Sequence, residues 1–418
     1  MFSAIIEGMN ATLAPVLPFE GARAIVEQQA AGITAAEPES VHLEHAGGRV
    51  LAEALAADRD FPPFPRSARD GYAVRAADLA RVPVQLKITG ESKAGAPPET
   101  IPAEVSRGEA VLIMTGAPAP KDADAVVMLE YTARHGDRVE IQKSAASGEN
   151  IVPRGSEGRA GDVLLKCGER LDAAGVAVAA SVGKASLLVH ALPRVAILAT
   201  GDEIVDVTAQ PSPNQIRNSN SYSLAAQVRS AGGLPVLLPI APDEPVQLRR
   251  LIEQGLQADL LLLAGGVSMG KYDLVEQVLD ELGAEFFFTG ALIQPGRPVV
   301  FGRARKKYFF GLPGNPVSTM VTFELFARPM LEALAGAKLR QLAFFPVRLK
   351  REIKVRPGLT RFLPGLLSGQ LGQLEVELAP WQGSGDIAGA ARANCYVVVP
   401  PDRERIPAGE TAAVWVKG

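Results

Sequence analysis

The chain has 418 residues, more than one hydrophobic core usually supports, and this length suits two to four domains. Lys and Arg number 43 against 46 Asp and Glu, and the formal net charge of −3 argues against a general nucleic-acid binder, which needs a strong basic excess. Hydrophobic residues at 47% and charged residues at 21% are typical of a folded globular protein rather than a disordered one.

The first part of the chain changes from a helical to a β-rich pattern. Residues 19–33 carry apolar residues at near-helical spacing, and residues 50–57 predict a second short helix. A cluster of prolines then indicates a linker. Short alternating runs bounded by Gly, Pro or Asp predict a β-rich module over 58–150. We therefore expect this module to interrupt a discontinuous helical and linker domain formed by residues 1–57 and 151–192.

Strand and helix patterns alternate over residues 193–337. Continuous apolar strands are followed by amphipathic helices, and one helix is predicted to begin at an N-cap Asn220 and to end at Gly232. This alternation is typical of a doubly wound α/β domain, with helices on both faces of a parallel sheet. Residues 338–418 return to short strands and predict a small β-barrel. The predicted fold class is multidomain α/β plus β.

Cysteine content and hydropathy predict the compartment. Cys167 and Cys395 are too few for a disulfide framework, which favours a reducing, cytoplasmic location. The first residues lack the basic and apolar regions of a signal peptide. Since apolar runs stay far below the roughly 20 residues that span a bilayer, we expect no membrane association.

Three glycine-containing loops follow predicted strands of the α/β domain. They read TGDE (200–203), GGVS (265–268) and GLPGNP (311–316). Loops at the carboxyl ends of parallel strands line one crevice, where glycine lets the backbone approach a ligand. Acidic residues in or just after two of these loops favour a Mg²⁺-assisted phosphate reaction, because Mg²⁺ uses one or two carboxylates plus substrate phosphates. We therefore expect the three loops to share one edge of the sheet.

Two common motifs nearly match the second loop. Residues 266–270 fit GxSxG, but an α/β-hydrolase needs a histidine after the serine, and all four histidines precede Ser268. Residues 265–271 fit GxxxxGK, but Tyr272 stands where a phosphate loop has Ser or Thr. The sequence therefore predicts neither a hydrolase of this kind nor a standard phosphate loop.

Several different short motifs occur in order along the chain, from about residue 58 to the C-terminus. They are SARDGYAV, MTGAP, ATGDE, GGVSMG, QPGRP, GLPGNPVS, and GSGDI with ANC. Their order and spacing resemble the MoeA family of molybdopterin molybdenumtransferases, similar to the E domain of gephyrin. The resemblance implies insertion of molybdate into adenylated molybdopterin with release of AMP and help from Mg²⁺. It also implies an elongated homodimer that meets molybdopterin adenylyltransferase and apo-molybdoenzymes.

The same resemblance implies roles for individual positions. Family catalytic positions match Asp70, Thr115, Glu203 and Asp273, of which Glu203 and Asp273 are the implied Mg²⁺ ligands. Family cofactor-binding positions match residues on the three loops, on QPGRP and in the barrel. These are Gly201, Asp202, Gly265, Gly266, Ser268, Gln294, Arg297, Gly314, Asn315, Ser318 and Ser384. In the family, the inserted module of one subunit faces the α/β crevice of the other, which implies a site built from two chains.

The chain departs from the family pattern at several of these segments. DNSAMDGYA is replaced by PRSARDGYA, KPGKP by QPGRP, one acidic residue by Asn218, and an aspartate by Glu157. Because molybdate is a dianion, a neutral Gln294 predicts weaker molybdate binding, with Arg66 or Arg69 of the partner subunit as candidates for the missing charge. Two alternatives stay open: a diverged paralogue that binds a pterin or nucleotide without metal insertion, and a non-catalytic scaffold.

Overall fold

The computed structural model describes residues 14–266, 274–370 and 372–417. The predictions for Ser268 and Asp273 lie outside these residues. Across the described ranges, no helix has both the length and the apolar character needed to cross a bilayer.

The first helix, α1 (Phe19–Ala31), packs against the α/β domain, since its buried residues belong to that domain's core. Helix α2 (Ala173–Ser181) instead packs in a small separate core. The helix predicted over 50–57 is wrong. Val50 and Leu51 form isolated β-bridges with Arg170 and Val189, and Leu55–Ala56 is a short strand. Pairing with these distant partners overrides the local helical pattern.

Short antiparallel pairs of strands connect the segments on either side of the inserted module. They are Pro38–His42 with Ser186–His190, Leu55–Ala56 with Val163–Leu165, and Arg66–Ser67 with Ile151–Val152. The last of these pairs lies where the chain enters and leaves the module, so the two linkers run side by side.

The module is built on one six-stranded sheet. Its strands in chain order are β1 (Gly71–Val74), β2 (Val84–Ser92), β3 (Glu109–Ile113), β4 (Ala125–Met128), β5 (Thr132–His135) and β6 (Arg138–Ile141). The spatial order is β4-β1-β3-β2-β6-β5, and only β2 and β3 pair in parallel. The prediction of a β-rich module here is confirmed.

The α/β domain contains a mixed six-stranded sheet. The strands are β7 (Arg194–Ala199), β8 (Leu234–Leu237), β9 (Leu260–Ala264), β10 (Glu285–Phe288), β12 (Val300–Ala304) and β13 (Lys307–Leu312), while β11 (Ile293–Gln294) leaves this sheet. The order is β8-β7-β9-β13-β12-β10. The first four strands are parallel, and β12 and β10 are antiparallel additions.

Helices cover both faces of this sheet, as predicted. They are α3 (Asn220–Ser230), α4 (Pro245–Gly255), α5 (Leu274–Glu281), α6 (Pro316–Thr322) and α7 (Arg328–Leu334), with a π-helical turn, Phe323–Ala327, between the last two. Helices α1, α3, α6 and α7 share one core, and α4 and α5 contribute to another on the opposite face. The doubly wound arrangement is therefore confirmed.

The C-terminal domain is a closed barrel of five strands. They are β14 (Phe345–Leu349), β15 (Thr360–Gln370), β16 (Gln373–Leu378), β17 (Cys395–Val399) and β18 (Thr411–Val416), and helix α8 (Ile387–Arg392) precedes β17. The order is β15-β16-β14-β18-β17, and pairing of β17 with β15 closes the ring. Strand β11 joins β15 from outside, so the barrel holds a piece of the α/β segment.

Gly71 provides a test of the module's packing. A Cβ at Gly71 would lie 2.0 Å from the carbonyl oxygen of Val127, a backbone atom that has little freedom to move. We expect Gly71→Ala to lower the free energy of unfolding of the module by about 3 kcal/mol in urea titrations. Gly47→Ala is the control, because a Cβ there meets no atom within 4 Å. Equal stability of the two variants would contradict the packing of β1 against β4.

Candidate functional site

The three predicted loops begin at one level of the α/β sheet. Ala199, Ala264 and Leu312, the last residues of β7, β9 and β13, are in register across the parallel strands. The alignment continues into the loops, because Thr200 donates its amide to Ala264 and Gly265 donates to Leu312. The expectation that all three loops share one edge is confirmed.

A cavity of about 380 Å³ opens between these loops, and we call it the sheet-side cavity. Its polar lining includes Thr200, Glu203, Asn218, Asn220, Gly265, Gly314 and Asn315. Thr200 is only 3% exposed, yet its hydroxyl has no hydrogen-bond partner among the described residues, and the same holds for Oδ1 of Asn220. Unpaired buried polar atoms are costly, so this cavity is chemically prepared for a polar ligand.

Glycine is required where the second loop passes the first. A Cβ at Gly265 would lie 2.7 Å from the carbonyl oxygen of Thr200, and one at Gly266 would lie 2.5 Å from the Thr200 hydroxyl. Both glycines also have positive φ angles, +96° and +65°. A side chain at either position would therefore separate the two loops and change the cavity wall.

The beginning of α3 brings two asparagines to the sheet-side cavity. The prediction that Asn220 caps the helix is wrong, because the helix already includes Asn220, whose Nδ2 donates to the carbonyl of Gly314 at 2.7 Å. Asn218 performs the capping contact instead, accepting from the amide of Ser221 at 3.1 Å. Asn220 thus links α3 to the third loop across the cavity.

The two acidic residues of the first loop have different surroundings. Glu203 lines the sheet-side cavity. Asp202 does not, because its carboxylate accepts from the amide of Asp243 at 3.0 Å, and its proposed cofactor contact is not supported by this placement. Within the described ranges, no group of three or more His, Cys, Asp or Glu residues is arranged to hold a metal ion.

A second cavity, of about 360 Å³, lies between the α/β domain and the barrel, and we call it the barrel-side cavity. It is lined by Gln294, Gly296, Arg297, Ser318, Leu359, Trp381 and Ser384, among others. Pro298, Pro313 and Asn315 line both cavities, so the two are neighbours with a shared wall. Gly201 and Gly266 are predicted cofactor-binding residues that line neither cavity.

Two backbone contacts join the barrel to the α/β domain at this point. Ile293–Gln294 pairs in parallel with Thr360 and Arg361 of β15. The amide of Val317 donates to the carbonyl of Ser384 at 3.0 Å. These contacts bring Gln294, Ser318 and Ser384, predicted from separate motifs, to one cavity.

Arg361 is a candidate site residue that the sequence analysis missed. It is only 6% exposed, and its Nε donates to Oε1 of Gln294 at 2.8 Å while Nη1 donates to the carbonyl of Leu359 at 3.2 Å. Both acceptors are neutral, and both belong to residues that line the barrel-side cavity. Burial lowers the pKa of the Arg361 guanidinium, but arginine still stays protonated. No carboxylate of the described chain forms an ion pair with it.

Asp70 and Thr115 meet in the inserted module. Oδ1 of Asp70 accepts from the backbone amide of Thr115 at 2.6 Å and from its hydroxyl at 2.7 Å. The Thr115 hydroxyl, followed by the Thr115 amide, holds the pKa of the Asp70 carboxyl below its usual value. Both residues are exposed, and neither lines the two cavities. The structure thus pairs Asp70 with Thr115 but does not bring them to Glu203.

Comparison with known families decides the relationship. Three family models match the chain: the MoeA N-terminal region (domain I and II) over residues 17–183, a probable molybdopterin binding domain over 196–333, and the MoeA C-terminal region (domain IV) over 346–417. The chain belongs to the MoeA family. The resemblance noted in the short sequence motifs is confirmed.

MoeA relatives from several bacteria align along most of the chain. A molybdopterin molybdenumtransferase of Nostoc sp. is 35% identical over 388 residues, covering 90% of this chain and 88% of that protein. The Bacillus subtilis molybdopterin molybdenumtransferase is 34% identical, with 90% and 89% coverage. Molybdopterin molybdenumtransferase 1 of Mycobacterium tuberculosis is 33% identical, with 94% and 98% coverage.

Solved structures agree with this assignment. Two crystal structures of MoeA molybdopterin biosynthesis proteins from Pyrococcus horikoshii match with TM-scores of 0.70 and 0.73. Their sequences are 33% and 29% identical to this chain, and they cover 97% and 96% of it and all of their own length. The predicted multidomain α/β plus β fold is therefore confirmed.

Two departures from the MoeA pattern contact one another. Nη2 of Arg66 lies 2.7 Å from Oε1 of Glu157. The charge of Arg66 is therefore partnered within its own chain, which makes it a poor candidate for the charge missing at Gln294. The departure at Asn218 also has a structural role, because Oδ1 of its neutral side chain accepts from the backbone amide of Ser221 at the beginning of α3.

The Asp70–Thr115 contact gives a pH prediction. Since the folded-state pKa of Asp70 is lowered, its hydrogen bonds stabilise the fold above the pKa of the unfolded chain, and this contribution is lost as pH falls through the folded-state pKa. Thr115→Val removes the main cause, so we expect the pKa of Asp70 to rise toward its usual value in an NMR carboxyl titration. Unfolding measured between neutral pH and about pH 3 should then show a smaller loss of stability from this residue.

Thr208→Val is the matched control for that experiment. Asp206 accepts from the amide and hydroxyl of Thr208 at 2.9 and 2.7 Å, the same arrangement on a different loop. We expect that variant to raise the pKa of Asp206 and to leave Asp70 unchanged. A pKa of Asp70 that does not move in Thr115→Val contradicts the assigned cause.

Proposed function

We propose that this chain is a molybdopterin molybdenumtransferase, which inserts molybdate into adenylated molybdopterin and releases AMP. The observation that carries the proposal is Arg361, a buried guanidinium that donates to two neutral acceptors, Gln294 and the carbonyl of Leu359. A buried cation without a counter-ion is strongly unfavourable, whereas a bound anion offsets that cost. Arg361 does not itself line the barrel-side cavity, but both of its acceptors belong to lining residues, and a cation directly behind that lining supports an oxyanion as the ligand there.

The other groups around the barrel-side cavity suit the same ligand. Arg297 supplies a second guanidinium, and Ser318 and Ser384 add hydroxyl groups. Arginine presents five N–H donors and no acceptor, which matches a tetrahedral oxyanion carrying acceptors on every side. Arg361 therefore supplies the charge that the sequence analysis sought from Arg66 or Arg69, and Gln294 orients it by accepting from Nε.

The sheet-side cavity supports the organic part of the substrate. Both cavities fall in the volume range of small-molecule sites, about 300–1,000 Å³, and they share a wall. The unpaired Thr200 hydroxyl and Asn220 oxygen offer a donor and an acceptor to a polar heterocycle or ribose. In this arrangement molybdate and the nucleotide-linked pterin occupy neighbouring cavities, so the protein brings the two reactants together.

Mg²⁺ is part of the proposal through the donor chemistry of the sheet-side cavity. The Glu203 carboxylate is an oxygen ligand of the kind that Mg²⁺ prefers, and the ion completes its shell with water and phosphate oxygens. Bound Mg²⁺ would neutralise charge on the substrate phosphates. Glu203, together with Asp273 from the family resemblance, would hold it.

A homodimer completes the proposal. Asp70 and Thr115 lie in the module, outside both cavities, whereas the resemblance makes them catalytic. We propose that the module of one subunit approaches the cavities of its partner. We also propose that the chain has the four domains expected from the sequence. Delivery of substrate by molybdopterin adenylyltransferase and transfer to apo-molybdoenzymes rest on the family resemblance alone.

Arg361 provides the direct test of the oxyanion site. Arg361→Gln removes the buried cation, so we expect at least about a ten-fold loss of molybdate affinity by calorimetry and a matching loss of AMP release. Arg361→Lys keeps the charge and should lose less. Arg356→Gln, at an exposed arginine of the C-terminal domain, is the control. The proposed site would be refuted if Arg361→Gln binds molybdate as tightly as the wild type does. A wild-type protein that binds nucleotide but inserts no metal would favour the diverged paralogue.

Mixed dimers test the shared site. We expect Asp70→Ala and Glu203→Ala to be inactive separately, because each lacks one half of every site. After subunit exchange, hybrid dimers carry one intact site, and a one-to-one mixture should recover up to about 25% of wild-type AMP release. Native mass spectrometry measures the exchange. Confirmed hybrids that remain inactive would contradict a site built from both subunits.

A further inference from the structure

Backbone hydrogen bonds between the two linkers of the inserted module cluster at Ala57 and Phe61 and are sparse over residues 62–65. The outgoing linker, residues 57–67, meets the returning linker, residues 151–162, through a β-bridge between Phe61 and Gly158 and through the pair Arg66–Ser67 with Ile151–Val152. Three of the four residues between these contacts, 62–65, are prolines, which have no amide donor. The amide of Gly155 donates to the carbonyl of Pro62 at 3.0 Å. A regular hydrogen-bonded ladder is therefore impossible over this stretch.

Two ion pairs cross the same stretch. Arg66 pairs with Glu157 and Arg154 pairs with Asp60, each at 2.7 Å. Oδ1 of Asp60 also accepts from the amide of Ala160 at 3.0 Å, and this contact, with Arg154, holds the pKa of Asp60 below its usual value. Each linker contributes one acid and one base to these two ion pairs.

The Arg66–Glu157 ion pair lies close in the chain to the contact between Asp70 and Thr115. Ser67, next to Arg66, is 1% exposed, and its amide and carbonyl bond to Ala117 and Gly116. Its hydroxyl donates to the carbonyl of Arg69 at 2.5 Å. Asp70 therefore follows a segment fixed to the turn that carries Thr115. Movement of Arg66 relative to the returning linker would reorient this whole group.

We propose that Arg66–Glu157 and Asp60–Arg154 form an electrostatic clamp on the linkers, and that the clamp positions Asp70 for the reaction. Arg66 and Glu157 are positioning residues, and their two departures from the MoeA pattern are one coupled change. The proposal rests on the proposed function, because it requires that Asp70 act in molybdate insertion. Exposed ion pairs contribute little to overall stability, so the clamp acts on orientation rather than on folding.

Charge reversal in the full-length protein tests the clamp. Arg66→Glu places two carboxylates opposite each other. We expect at least about a five-fold faster hydrogen exchange in peptides covering 61–67 and 151–158, and a similar fall in kcat for AMP release. The affinity for AMP as a probe should stay within about two-fold, because the linkers line neither cavity. The double variant Arg66→Glu with Glu157→Arg should restore both exchange and kcat to within about two-fold of wild type.

Salt and a matched variant separate the clamp from general surface effects. At 1 M NaCl the Debye length is about 3 Å, so the difference in linker exchange between wild type and Arg66→Glu should shrink. Arg303→Glu breaks another exposed 2.7 Å ion pair, with Glu285 in the α/β domain, and should change neither linker exchange nor kcat.

The outcomes distinguish the clamp from the function on which it rests. The clamp is overturned if Arg66→Glu and Arg303→Glu have equal linker hydrogen-exchange rates and equal kcat. It is also overturned if the double variant Arg66→Glu with Glu157→Arg recovers neither the exchange rate nor kcat. Full activity of Asp70→Asn overturns both the proposed role of Asp70 and the positioning role. Faster linker exchange in Arg66→Glu would in that case still report a clamp without a catalytic purpose.

Discussion

The parallel pairing of Ile293–Gln294 with Thr360–Arg361 is the contact on which the barrel-side cavity depends. Through it, two residues of the α/β segment become an outer strand of the barrel sheet. The pairing puts the side chain of Gln294 within 2.8 Å of the Arg361 guanidinium, and the second contact, from Val317 to Ser384, brings the next helix against the barrel. Backbone hydrogen bonds thereby hold together a cavity that two domains line. Because these bonds do not involve side chains, they remain when residue 294 is glutamine instead of the lysine of the KPGKP pattern.

The sheet-side cavity depends on a different constraint, the common level at which β7, β9 and β13 end. Parallel strands in register deliver their following loops to one edge, as expected for doubly wound sheets. Glycine then allows the loops to pass within contact distance, at Gly265 and Gly266 against Thr200. Because the two cavities share Pro298, Pro313 and Asn315, displacement of the third loop would alter both.

Sequence reasoning succeeded where patterns were local and regular. The alternation of apolar strands and amphipathic helices predicted the α/β domain, and loops after strands predicted their shared edge. Arg361 was missed because no clear strand pattern marks β15, the strand that carries it. Pro364, Gly365 and Gly369 interrupt the alternation that identifies a strand, and Gly369 has a positive φ angle of +122°. An arginine beside the apolar residues of RFLPGLL was the signal available. The false helix over 50–57 and the cap at Asn220 failed because distant partners, Val189 and Gly314, decide those conformations.

The closed barrel has a consequence for synthesis of the protein. Its ring requires β18 (Thr411–Val416), which lies between β14 and β17, whereas every strand of the α/β sheet has been made by residue 312. During translation the sheet-side loops therefore emerge well before the barrel is able to close. We therefore expect Arg361 to stay in contact with water until β18 has left the ribosome. A nascent chain stopped before β18 would have the loop edge of the sheet without the enclosed guanidinium.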